Sequence, residues 1–208
     1  ISIRDEFRLK KFGLEHKRPD LFLKSQWKCP RFYLVWRICW SIYHTCWTIA
    51  SGALNYQWAT TESNRIKWFV YLTNWTYLIL TIETIIEPVI LIYARVKRPE
   101  ILKGTASMPW FLKILWVLYN ISTTGAIMVS ALYWSMIYKA SRTFIFSAIK
   151  GTNSVSVAVH GFNSVYVVSN IFVTAMPVRI FHFYQPALFG IIYIGFTWIY
   201  YGANGTNM

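Results

Sequence analysis

Thr73 and His160 are the residues of this chain best placed to do chemistry. A hydroxyl becomes a nucleophile when a neighbouring base takes its proton, and a neutral imidazole is the usual base. Each residue lies in a polar stripe within an otherwise lipid-soluble stretch. An unpaired polar group in hydrocarbon costs on the order of several kcal/mol, so such side chains are turned toward protein or a wet cavity. One stripe is Thr73, Thr76, Leu80, Glu83 and Glu87; the other is Ser156, His160, Asn163, Val167, Asn170 and Thr174. Steps of three and four put each set on one helical face. The chemistry open to such a pair is nucleophilic attack by the hydroxyl with the imidazole as base. Asn74 beside Thr73, or Asn163 one turn from His160, would orient the base or stabilise the oxyanion, and spacing does not choose between them. The competing reading is structural: threonine in a membrane helix bonds the carbonyl one turn back, and a lone histidine packs and hydrogen-bonds.

Positioning such residues falls to five apolar stretches: Tyr33 to Ala53, Trp68 to Tyr93, Ile114 to Ile137, Val155 to Met176 and Ile180 to Tyr201. Each meets the roughly 20 residues needed to cross about 30 Å of hydrocarbon. Trp68, Tyr93, Trp110, Tyr138, Tyr200 and Tyr201 gather near the ends, where amphipathic rings favour the headgroup region. The fold class predicted is all-α, a polytopic transmembrane helical bundle with five helices in this chain. The fourth stretch, the least hydrophobic, is expected at its centre with most of its circumference covered. Residues 1–32 form a basic arm, 33–201 the bundle, and 202–208 the start of an outer loop. The chain begins at Ile1 and ends at Met208, which reads as truncation at both ends.

The net charge of +13 would suggest a nucleic-acid partner in a soluble chain, but its placement points to a membrane. Nine of the 21 Lys and Arg residues precede Tyr33. Basic residues accumulate on the cytosolic side, so the arm is expected there. Alternation puts Arg65 and Lys67 outside, Arg95, Lys97, Arg98 and Lys103 inside, Lys139, Arg142 and Lys150 outside, and Arg179 inside. The outer end carries a glycosylation sequon, Asn204-Gly205-Thr206. The arm also suits anionic inner-leaflet lipids, at about 1 kcal/mol per basic residue near the surface; a solvated topology determinant is the plainer alternative. Membrane lipids are the expected partners, with no nucleic acid and no protein partner legible.

Glu83 and Glu87 lie toward the cytosolic end of the second stretch. A bare carboxylate near the bilayer centre costs about 2.5 to 3.5 kcal/mol on insertion scales, so partners are expected. Arg37, Arg179 and His182 stand at a similar depth, and the five read as a structural ion-pair network in preference to a proton or ion path. A transporter would show interrupted helices in repeated halves, and Pro88, Pro177 and Pro186 form no such repeat. Cys39 and Cys46, seven residues apart on one helix, are too distant for a disulfide. Neither a metal site nor a cofactor is expected.

The runs Phe69-Val-Tyr-Leu-Thr-Asn-Trp75, His160-Gly-Phe-Asn-Ser164 and Met176-Pro-Val-Arg-Ile-Phe-His-Phe183 resemble the insect rolling stone family, from about Trp27 onward. The resemblance implies a plasma-membrane protein with a role in myoblast or other cell fusion. A more distant resemblance joins the architecture to the androgen-induced and androgen-dependent membrane hydrolases of fatty acid esters of hydroxy fatty acids. Their threonine stands in a Leu-Thr context and their histidine in a His-Gly context. Leu72-Thr73 and His160-Gly161 match, which implies Thr73 as nucleophile, His160 as base and a lipid ester as substrate. Asn74-Trp75 and Phe162-Asn163 depart from those relatives. The relatives also continue into a further membrane helix, so six are expected in the complete protein. The rival expectation is a non-catalytic interaction protein that organises a fusion site.

Overall fold

A computed structural model describes residues 7–58, 67–137, 155 and 157–205. The stretches expected on the outer side, with Arg65 and with Lys139, Arg142 and Lys150, lie beyond these residues, as do Ser156, Tyr138 and Thr206 of the sequon. Within them the protein is all-α: α1 (Pro30–Trp58), α2 (Leu72–Lys97), the short α3 (Pro99–Lys103), α4 (Trp110–Leu132), α5 (Asn163–Val173) and α6 (Tyr184–Gly202). A π-helical turn at Tyr133–Ile137 extends α4, and another at Val157–Phe162 leads into α5. Among the described residues each predicted stretch is largely helical, the fourth over Val157–Val173. By length and apolar composition, Leu72–Lys97, Trp110–Met136 and Ile180–Gly202 qualify as membrane spans.

The bundle is built on the pairs α1–α2 and α2–α4, with α5 and α6 each packed on α4. Small side chains bring α2 and α4 close: a Cβ at Gly125 would lie 3.0 Å from Thr76 Cγ2. Such approach is how helices associate in lipid, where no hydrophobic drive separates one apolar surface from another. The outer faces are apolar and open, with Val35, Ile42 and Ile49 on α1 and Ile82, Ile85, Val89 and Val96 on α2 exposed. Helix α6 is almost wholly so, with 11% of its apolar window buried.

The fourth stretch departs from expectation. Its stripe is buried at His160, Asn163, Val167, Asn170 and Thr174, yet Val165, Val168, Ile171 and Phe172 are exposed. One face carries its polar groups and the opposite face is greasy enough for lipid, so the centre passes to α2 and α4.

The arm is folded onto the bundle. Phe22 and Leu23 are buried, Gln26 Nε2 donates to Ile171 O (2.8 Å) and Thr174 O (2.6 Å), and Ala175 N donates to Lys24 O (2.9 Å). Asp20 is buried too, accepting from Arg18 Nε (2.9 Å), Arg18 Nη2 (2.8 Å) and Lys24 Nζ (2.9 Å). Gly104, which ends α3 at φ 75°, gives Asp20 its room: a Cβ there would stand 3.1 Å from Asp20 Oδ1. The left-handed conformation and the close approach both demand glycine.

The Arg18 hydrogen bonds first, and the Lys24 contact after them, hold the Asp20 carboxyl well below the usual carboxylate range against the opposing effect of burial. A depressed folded-state value stabilises the fold above the unfolded-state value of about 3.9 and loses that contribution as pH falls through the folded one. Asp20→Asn is therefore expected to lower the melting temperature by a few degrees at neutral pH, with the gap to the parent protein closing in strongly acidic buffer. Melting curves in detergent across pH test this; a gap that persists in acid would assign the loss to shape and not to charge.

Candidate functional site

The bundle interior holds two groups of polar side chains, one toward each end. Toward the arm, Arg37 of α1 is 1% exposed and ion-pairs with Glu87 of α2. Its Nη1 also donates to Tyr166 Oη (3.1 Å) and Asn170 Oδ1 (2.9 Å), and its Nη2 donates to Tyr33 Oη (2.7 Å). Tyr33 Oη in turn lies 3.2 Å from Thr174 Oγ1, and Tyr166 Oη donates to Glu87 Oε2 (3.4 Å). Glu83, one turn from Glu87, is 1% exposed, and its Oε1, the Glu87 Oε1 and the Arg37 Nε have no hydrogen-bond partner among the described residues. A guanidinium shared among α1, α2 and α5 meets the requirement that a charge at this depth be paired.

Arg179 and His182 fall in a separate group, which divides the single network read from the sequence into two. The segment Met176 to Phe183 turns them toward the arm. Arg179 donates through Nη1 to Gly13 O and through Nη2 to Glu15 O, both at 2.7 Å, and its guanidinium lies 4.6 Å over the Trp116 ring. Asn120 Nδ2 lies 3.1 Å from His182 Nδ1 and 2.9 Å from Gln185 Oε1. Because an amide nitrogen only donates, Nδ1 is the acceptor and the ring proton sits on Nε2, 3.3 Å from Gly13 O. Trp116, fully buried, packs edge-on against His182 and Phe22 and donates to Pro177 O (2.8 Å). Expected depth is what grouped these residues in the sequence; which partners each meets across helices is not readable from spacing.

Toward the other end lie the proposed nucleophile and base. Thr73 sits in the first turn of α2, partly buried, and its carbonyl accepts the Thr76 hydroxyl (2.9 Å). Asn74 Nδ2 donates to Trp68 O (2.6 Å), securing the turn that enters α2. His160 lies in the π-helical turn before α5, stacked flat on Tyr133 with ring centroids 3.8 Å apart and an interplanar angle of 3°. Tyr133 begins the other π-helical turn, so the two widened segments meet at this stack. Its Nδ1 is buried without a hydrogen-bond partner among the described residues. Asn163 Oδ1 accepts from Ser130 Oγ (2.9 Å), which fixes α5 to α4. Val159, the residue before His160, belongs to the same buried cluster as Tyr77 and Ala126. No hydrogen bond joins the Thr73 hydroxyl to the His160 ring among the described residues.

Between the two groups stands a residue that the sequence reading passed over. His44 of α1 is completely buried, its Nδ1 lies 3.1 Å from Tyr77 Oη, and its Nε2 has no hydrogen-bond partner among the described residues. It rests between Trp40 and Tyr166, at centroid distances of 5.5 Å and 5.0 Å. One turn further, Thr48 Oγ1 and Thr81 Oγ1 are 2.6 Å apart. The signal was present: Tyr33, Arg37, Trp40, His44, Thr48 and Ser51 recur at steps of three and four, a third stripe matching the two on α2 and α5.

Comparison with known proteins agrees with this architecture at the level of the whole chain. The family model described as "Protein rolling stone" matches residues 1–208. "Protein rolling stone" of Drosophila melanogaster is 28% identical over 223 residues, covering 99% of this chain and 74% of that protein. No solved structure matches.

Proposed function

The chain belongs to the rolling stone family, and from that membership we propose that this integral membrane protein acts in cell fusion, in the plasma membrane, with its basic arm in the cytosol. The match over residues 1–208 supports the family membership from which the fusion role is proposed, and the nine basic residues before Tyr33 support the orientation.

A second, mechanistic reading is intramembrane hydrolysis of a lipid ester, with Thr73 as nucleophile and His160 as base. It is favoured by the unpartnered Nδ1 of His160, buried in a π-helical turn. Such turns are frequent at functional sites. Free enzymes often hold their catalytic hydrogen bonds long and tighten them on substrate, so the missing Thr73–His160 bond leaves this chemistry open. The interaction-protein reading draws on the other polar groups, since Asn163, Asn170 and Thr174 are all spent on helix-to-helix bonds.

Cell mixing between labelled fusion-competent cells tests both. Loss of the protein is expected to reduce fusion, and re-expression of the full-length chain to restore it. A Thr73→Ala, His160→Ala double variant that reaches the plasma membrane but restores nothing supports hydrolysis; full restoration supports an interaction role. Fusion indifferent to the protein would refute the proposal.

A further inference from the structure

Beneath the arm lies a cavity of about 630 Å³, between Leu21 and Leu23 of the arm, Tyr33 at the start of α1, Leu91 near the end of α2, and Leu102 of α3. Its size falls within the roughly 300–1,000 Å³ of small-molecule sites. The wall is mainly apolar and the rim is cationic: Arg18, Lys24, Lys28 and Arg95 line it, and no acidic residue does. Arg18 and Lys24 are committed to Asp20, and Arg95 Nη2 donates to Pro30 O (2.7 Å). Lys28 is exposed, with no side-chain hydrogen bond or ion pair among the described residues.

The depth of the cavity is fixed by its neighbours. Trp27, 58% exposed and stacked on Phe32, stands beside Lys28, where α1 begins. Exposed Tyr93 and Trp110 mark the same end of α2 and α4. Aromatic side chains of this kind sit at headgroup level. An apolar pocket rimmed by cations at that level matches an anionic amphiphile lying in the adjacent leaflet.

We propose that this cavity binds one anionic glycerophospholipid of the leaflet on the arm side, with an acyl chain against Leu21, Leu91 and Leu102 and the headgroup at Lys28 and Arg95. The arm is thereby a roof over a lipid site. The proposal depends on the membrane span and the cavity, and is independent of fusion or hydrolysis.

Full-length protein exchanged into nanodiscs of phosphatidylcholine with phosphatidylserine, then released for native mass spectrometry, reads the bound lipid directly. One phosphatidylserine per chain should be retained in preference to phosphatidylcholine. Lys28→Gln, on an exposed side chain that the fold does not need, should lower that preference about fivefold, and Lys28→Gln with Arg95→Gln further, following the charge dependence of anionic-lipid attraction. Leu102→Trp should displace the lipid by filling the pocket. Equal retention of the two lipids, or a preference unchanged by Lys28→Gln, would overturn the proposal. So would displacement by inorganic phosphate, which would identify a bare anion site without an acyl chain.

Discussion

Arg37→Met is expected to destabilise this protein by about 3–5 kcal/mol, the usual consequence of removing one partner from a buried ion pair. The substitution would leave Glu87 buried opposite Glu83 with no cation, and would strip Tyr166, Asn170 and Tyr33 of their shared donor. Thermal unfolding of purified full-length protein in detergent would register the loss, as would a fall in the yield of folded material. The double variant Arg37→Met, Glu87→Met should recover much of it, since apolar residues of similar volume often replace a buried pair at little cost. Wild-type melting for Arg37→Met would show that the three-helix junction is not held by this charge.

On the hydrolase reading, Thr73→Ala and His160→Ala each abolish cleavage of a long-chain ester by the purified protein while leaving its melting curve in place. Residues acting as a unit lose little more together than singly, so the double variant should match either single one. His44→Ala is the informative comparison. Among the described residues this histidine too has a buried ring nitrogen without a hydrogen-bond partner, and it faces Tyr77, one turn from Thr73. Cleavage that survives His160→Ala but not His44→Ala would move the base to α1. Cleavage that survives every one of these substitutions would eliminate Thr73 chemistry, and no cleavage by the parent protein would leave the interaction role.

The helices were legible because spanning hydrocarbon imposes both length and composition, and the faces of α2 and α5 because steps of three and four mark one side. The third stripe, on α1, obeys the same rule, but its tryptophans and tyrosines mask the polar periodicity around Arg37 and His44. Grouping across helices was not legible: Arg37 and Arg179, placed at a similar depth by the sequence pattern, belong to different groups. Nor was the folding of the arm, whose charges read as solvated. Burial of Asp20 depends on two cations and on a left-handed glycine more than 80 residues away, a coincidence of tertiary structure that no local pattern announces. For Thr73 and His160, the helical segments that carry them were inferable, but reactivity depends on side-chain approach, which periodicity does not encode.

The clamp between Arg179 and the arm also sets an order of events during synthesis. Its two halves are 166 residues apart, so a ribosome adding about 5–20 residues per second makes them on the order of ten seconds or more apart. Until Arg179 is made the arm lacks this clamp, although its other partners Gly104 and Trp116 are already present. Once the turn before α6 emerges, the same segment closes over the finished bundle. The arm thus docks in two steps separated in time, first on α3 and α4 and last on the turn before α6.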